Sequence, residues 1–430
     1  MASARADLAG RATIIAEWPA PEQDEAEMVS TTPSRRSLIG LDWFTFCLAD
    51  VQTAFGAFIS VYLTTEKWTQ GDIGLILSIA SVVGLIGRVP GGAIVDAVRS
   101  ERFAAAAAVL CVGASALMLA LWPIFPSVFL SSVLFAGANC VLSPAIAAIS
   151  LGLVGYAAIG ERLGRNASFQ SLGTALTAAG MGACGFFLAP RAVFLMTAAL
   201  VVPTLIALAN IRGSEIDTAR AHGGLAAPSP DFGRGLRRLL TNKRFLAFAG
   251  ANALFQFANA AMLPLMGSVM TMRSANWASV LIASCIIVPQ VVVAITSPWV
   301  GRKAERWGRR PLLILGFAAL LLRSFLFADA PNLYFVVAIQ ALDGISAAAL
   351  GVLVPLVVAD LARNTGRFNL AQGLIGTAVG IGAALSTSFA GFITDRYGSQ
   401  TAFLALAAVA AFALVFVYLT MPETRPDEEQ

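Results

Sequence analysis

The chain has 430 residues, 57% of them hydrophobic and 13% charged, with a net charge of +4 and a mean hydropathy of +0.76. A water-soluble chain carries about 25% charged residues, so most of this surface must face something other than water, which excludes an ordinary soluble enzyme. No alternating ten-residue pattern with turn signals recurs, which argues against a transmembrane β-barrel.

Residues 1–37 are polar, with Glu22, Asp24, Glu25 and Glu27 close together. They lack a basic stretch followed by an apolar one, so a disordered cytoplasmic tail is expected rather than a cleaved leader. A bilayer core about 30 Å thick takes about 20 apolar residues per helix, and hydropathy divides the rest into twelve spans. The first six are 40–64 with Asp50 and Gln52, 73–95 with Arg88, 103–122, 127–155 with Asn139 and Pro144, a glycine-rich 167–189, and 192–211. These make an N-terminal six-helix bundle over 38–211. Residues 212–243 read as a basic cytoplasmic linker containing Pro228, Pro230 and His222, the only histidine. A C-terminal bundle over 244–420 follows. Its spans are 244–270, with Asn252, Gln256 and Asn259 on one helical face, 278–300, 311–328 with Arg323, 332–360 with Gln340 and Asp343, 370–393, and 401–420. Residues 421–430 read as a second cytoplasmic tail.

Basic residues alternate with the spans. One set of loops holds Arg99, Arg102, Arg162, Arg165, seven over 212–244, five over 302–310, and Arg363 and Arg367; the other holds only Lys67, Arg191, Arg273 and Arg396. Cytoplasmic loops are enriched in Lys and Arg, so both termini are expected in the cytoplasm. The halves also repeat. Gly92 and Asp96 recur 209 residues on as Gly301 and Glu305, and Gly164-Arg165 recurs as Gly366-Arg367. Both copies have the same predicted orientation, so the repeat is parallel.

The loop after the eighth span reads Gly301-Arg-Lys-Ala-Glu305-Arg306-Trp-Gly308-Arg309-Arg310. It resembles the loop signature of the major facilitator superfamily, and Gly92, Asp96, Arg99 and Arg102 form its degenerate partner, with Arg99 where the family has glycine. The resemblance, over 38–420, implies an all-α membrane fold: two six-helix bundles around a central cavity, a transporter working by alternating access, and no catalytic residues. It implies a gate built on these ten motif residues, the acidic one pairing with loop arginines or meeting a neighbouring helix N-terminus; the alternative is that the arginines only anchor the loops in the cytosol. Drug:proton antiporters of this superfamily have a Gly-Pro step in the fifth span; here Gly182 is followed by Ala183.

A charge inside a span costs about 2.5–3.5 kcal/mol even on the lenient insertion scale, so Asp50, Arg88, Arg323 and Asp343 need partners or a function. At 1.5 Å per residue, Asp50 and Arg88 lie about 15 and 12 Å from the same membrane face, and Arg323 and Asp343 also approach one level. One acid–base pair per half is expected, either locking two helices or binding protons and substrate. Gln52, Asn139, Asn252, Gln256, Asn259 and Gln340 are candidate substrate contacts or helix–helix glue. No P-loop is present, so ATP is not the expected energy source. No His, Cys and carboxylate cluster has metal-ligand spacing, so neither metal nor cofactor is expected.

The reading is an inner-membrane, bacterial-type transporter, monomeric by default and in contact with lipid but not nucleic acid. Proton-coupled efflux of a small amphipathic molecule is the favoured mode. A symporter or passive facilitator for a sugar, nucleoside or organic acid is the alternative within transport; a membrane receptor or lipid-flipping protein is the alternative of another class.

Overall fold

The computed structural model describes residues 33–53, 58–98, 100–222, 232–273, 278–330, 332–363 and 365–425. The described residues form helices and turns, with no strand among them. The helices are α1 (Arg35–Thr53), α2 (Phe58–Thr65), α3 (Gln70–Ala97), α4 (Glu101–Leu121), α5 (Phe125–Phe187), α6 (Pro190–Ala209), α7 (Thr218–Ala221), α8 (Phe232–Thr241), α9 (Lys243–Asn259), α10 (Met262–Arg273), α11 (Ala278–Trp307), α12 (Arg310–Ala328), α13 (Leu333–Leu361) and α14 (Phe368–Thr420).

Nine helical stretches among the described residues are long and apolar enough to cross a membrane. Two of these, with 57 and 53 residues, would run about 80 Å if straight, and each is instead two crossings joined by a glycine. Gly155 (φ 68°) divides α5 and Gly398 (φ 83°) divides α14. Both sit in conformations that cost glycine little and other residues more. With α1 and α2 sharing the first crossing, the chain makes twelve.

Polar side chains set several starts. Thr69, Ser100, Asn242 and Asn332 accept N–H bonds from the first turns of α3, α4, α9 and α13, which satisfies donors that a helix start leaves orphaned. Between the ends, large apolar side chains point outward, Ile86, Phe103 and Ile295 each being about 70% exposed. So much outward apolar surface suits lipid rather than water. The chain is an integral membrane protein.

Each half has its own buried core. Leu41, Val112, Leu142 and Phe194 belong to the first; Phe248, Phe317, Leu356 and Leu406 belong to the second. The halves meet chiefly through α3 with α14 and α5 with α11, and α5 also touches α13 and α14. Both chief contacts lie at the end that carries the basic loops, here called the basic end.

One detail differs from the sequence reading. Residues 156–166 are helical rather than a loop, because Arg162 is buried against Asp42 instead of solvated. The described part of the central segment is folded, with a 3₁₀ turn at Gly213–Glu215 followed by α7. It docks on α5 through Asp217 N–H to Gly152 O (3.0 Å).

Candidate functional site

In the second half, Asn252, Gln256 and Asn259 of α9 and Asp343 of α13 line one cavity of about 270 Å³. Behind it Arg323 of α12, 2% exposed, pairs with Asp343 and donates to Asn259 Oδ1 at 2.8 Å. The arginine is enclosed, while Asp343 keeps 23% of its side chain open, so the pair turns its negative partner toward the cavity. Asn252 donates Nδ2 to Phe248 O within its own helix (2.8 Å). Gln340 lines neither cavity: it is fully buried and donates to Cys285 O at 3.0 Å, joining α13 to α11.

In the first half, Arg88 of α3 and Asn139 of α5 line a cavity of about 610 Å³, together with Ser81, Ser132, Cys140 and Gln372 and the apolar Ile59, Leu77 and Phe135. Arg88 Nη1 donates to the carbonyl of Gly376, so its guanidinium crosses from α3 to α14. The side chains of Asp50 and Gln52 lie outside the described residues, and so does the expected Asp50–Arg88 pair.

At the basic end the repeated motif builds the same joint twice. Asp96, at the end of α3, is buried and accepts from Asn369 N (3.1 Å), Asn369 Nδ2 (2.8 Å) and Leu370 N (2.9 Å), the first turn of α14. Glu305, near the end of α11, accepts from Glu161 N at 3.1 Å, close to the start of the second run of α5. Asp96 thus sits at the positive end of a helix from the opposite half, and Glu305 meets a backbone N–H of the opposite half one turn further into its helix. Glycines let the backbones approach. A Cβ at Gly92 would fall inside the van der Waals shell of Asn369 O, and one at Gly301 inside that of Gly160 O. Gly373 is held equally close to Arg88 O, and Gly164 to Ser297 O. Ser168 adds a bond to Ala294 O (2.6 Å) and Arg363 lies over the Tyr156 ring (5.1 Å).

The motif arginines have separate tasks. Arg309 donates Nε to Asp360 (3.0 Å) and Nη1 to Ala304 O (2.9 Å). Arg310 donates to Tyr418 O (2.7 Å). Arg306 offers its carbonyl to Arg425 (2.9 Å). Arg102 lies beside Gly213 of the central segment, and Arg99 lies outside the described residues. Gly308 (φ 90°) makes the turn into α12. There Glu423 accepts from the N–H groups of Arg309 (2.7 Å) and Arg310 (3.1 Å). Burial pushes the Glu423 carboxyl up, but these N–H groups and those of Thr424 and Arg425 outweigh it and hold it below the usual range.

Sequence reasoning missed several of these partners. Asp42 of α1 holds both Arg162 and Arg165 (Nη2 2.6 Å) of α5; the signal was an aspartate at the edge of an apolar run. Asn369, Asp360 and Glu423 carried no signal beyond being polar near a span end. His222, expected in a solvated linker, is buried 3.4 Å from Glu101, and burial lowers its pKa. Its carbonyl accepts from Phe368 N (3.4 Å), beside Asp96 at the start of α14.

A family model described as Major Facilitator Superfamily matches residues 43–289 and 248–430. The chain belongs to the major facilitator superfamily. It is 37% identical over 390 residues to an uncharacterised MFS-type transporter of Mycobacterium tuberculosis, covering 89% of this chain and 93% of that one. It is 27% identical over 195 residues to multidrug resistance protein 1 of Bacillus subtilis, about 45% of each chain. Among solved structures it resembles the E. coli fucose:proton symporter, with a TM-score of 0.72, 14% identity and 90% and 98% of the two chains covered. It also resembles a proton:xylose symporter, with a TM-score of 0.68, 12% identity and coverage of 91% and 96%. The twelve-helix fold of two parallel six-helix bundles is therefore this superfamily's, and the chain is an MFS transporter.

Proposed function

We propose that this transporter works by alternating access and exports a small amphipathic molecule in exchange for protons across a bacterial inner membrane, as a monomer, with its basic end and both termini in the cytoplasm. The observation that carries the reading is the duplicated joint at the basic end, Asp96 on α14 and Glu305 on α5. Each contact crosses between the halves, and each is a short-range electrostatic cap that can be broken without disturbing either half's core. The orientation follows from the basic loops. Amphipathic cargo is supported by the larger cavity, where Ile59, Leu77 and Phe135 stand beside Arg88 and Asn139. Export is supported by the multidrug resistance relative.

Asp50 is the proposed coupling carboxylate, its charge balanced by Arg88; a substrate that draws the arginine away frees Asp50 to take a proton. Asp343, open to the other cavity, is the second candidate. The test is proton movement in proteoliposomes under an imposed pH gradient, with a substrate panel and the variants Asp50→Asn and Asp343→Asn. Substrate-dependent proton flux in wild type that one folded variant abolishes assigns the coupling residue. Substrate movement that ignores the gradient in all three proteins sinks coupling and leaves a facilitator. A second reading, uptake of a polar metabolite, is favoured by the amides beside Asp343, which suit hydroxyl groups; the same vesicles discriminate by the direction in which substrate moves with protons.

A further inference from the structure

A groove on the outside of the first half has the form of a lipid site. It lies between α1 and α6 and encloses about 480 Å³. Residues Arg36, Gly40, Trp43 and Cys47 recur at helical spacing on one face of α1, and Pro203, Ile206, Ala207 and Asn210 recur so on α6. On both helices the polar member sits at the basic end and apolar members continue toward mid-membrane. Trp43 and Ile206 are 52% and 59% exposed, so the groove opens to the bilayer rather than to the transport cavities. Its floor is a close helix contact at Gly40, where a Cβ would lie 3.1 Å from both Ala207 O and Asn210 Cβ.

The mouth is cationic and held in place. Arg36 donates Nε (3.3 Å) and Nη2 (3.1 Å) to Asn210 Oδ1, which uses two of its five N–H donors and aims the guanidinium across the groove. Arg35 lies beside it at the start of α1. The nearby carboxylate, Glu215, is already committed to Ser34 N–H (2.9 Å) and Arg212 (3.4 Å). Among the described residues neither Arg35 nor Arg36 has a carboxylate partner.

The geometry points to this groove as a binding site for an anionic phospholipid of the leaflet at the basic end, with its phosphate on Arg36 and Arg35 and one acyl chain along Trp43 and Ile206. Basic pockets at helix gaps take acidic headgroups in this way, and tryptophan belongs at headgroup depth. The occupant is fixed by charge at one end and by an apolar, membrane-facing channel at the other, a combination that neither a soluble anion nor a neutral lipid matches.

Native mass spectrometry of the full chain in detergent, titrated with phosphatidylglycerol or phosphatidylcholine of equal chain length, tests it. The expected result is phosphatidylglycerol adducts at least tenfold more abundant than phosphatidylcholine adducts, falling at least fivefold in Arg36→Gln. Ile206→Trp fills the channel without changing charge and should fall by a similar factor; thermal melts check folding, and should Arg36→Gln unfold, Ile206→Trp decides. Equal retention of the two lipids, or adducts that survive in the folded variants, overturns the site. So does displacement of the lipid by inorganic phosphate at millimolar concentration, which would make the groove a soluble-anion site.

Discussion

Arg323 is one of the largest side chains wholly enclosed in the molecule, and its pair with Asp343 is lopsided in exposure. Removing the carboxylate strands a buried cation, which costs about 3–5 kcal/mol. Removing the arginine leaves Asp343 free to take water from the cavity. Asp343→Asn is therefore expected to lower the unfolding midpoint in detergent well below that of Arg323→Met; the reverse order would place the pair's stabilising weight elsewhere. Glu423 gives a residue-scale dependence on pH. Its carboxyl is depressed by the N–H groups at the start of α12, so its contribution is complete above the ordinary value of 4.5 and is lost as pH falls through its lower folded value. Protection of residues 421–425 from hydrogen exchange, relative to the unstructured rate at each pH, should hold from pH 7 to pH 5 and fall only below about 4.5; Glu423→Gln should be less protected throughout. Arg323 and Asp343 could be found in the sequence because charge in hydrocarbon is conspicuous. The Arg88 contact with Gly376 could not, because its acceptor is a carbonyl and every residue has one. Asp42 escaped notice because its partners, Arg162 and Arg165, looked like solvated loop residues.

At the scale of the element, hydropathy located the helices and misjudged the turns between them. The fourth and fifth crossings turn on the single residue Gly155, and nothing in an arginine-bearing stretch such as 156–166 announces that its charges are neutralised from α1. The glycine pattern was visible but not its meaning: in sequence Gly84, Gly92 and Gly373 look alike, and the structure separates them. A Cβ at Gly84 meets nothing within 4 Å, whereas at Gly373 it strikes the backbone oxygen of Arg88. Backbone cannot yield as a side-chain tip does, so Gly373→Ala must move α14 away from α3. Gly84→Ala is expected to melt at or slightly above the wild-type temperature, because helix propensity favours alanine. Gly373→Ala should fold, since each half keeps its own core, and should expose cysteines introduced along the basic end of α3 to thiol reagents. Equal labelling in the two variants would show that the close approach does not hold the halves together.

At the scale of the molecule, the repeat makes the basic end symmetric: Gly92, Asp96 and α14 on one side correspond to Gly301, Glu305 and α5 on the other. A capping carboxylate contributes about 0.5–2 kcal/mol, and the two caps sit on different helix pairs without shared partners, so their losses should nearly add. Asp96→Ala with Glu305→Ala would then move the balance between closed and open at this end by about 2 kcal/mol, some thirtyfold. Either variant alone would move it only a few-fold, because the opposite joint still holds. Spin labels at the exposed positions Glu66 and Asp329, on the other end and in different halves, report the balance once the five native cysteines are replaced. Alternating access requires that opening at the basic end narrows the other, so the double variant should populate a shorter distance that each single variant shows weakly. If the double variant keeps the wild-type distribution, the caps tie helices together without setting which end is open. The gating role proposed for Asp96 and Glu305 would then fail, although the fold and the cavities would stand unchanged.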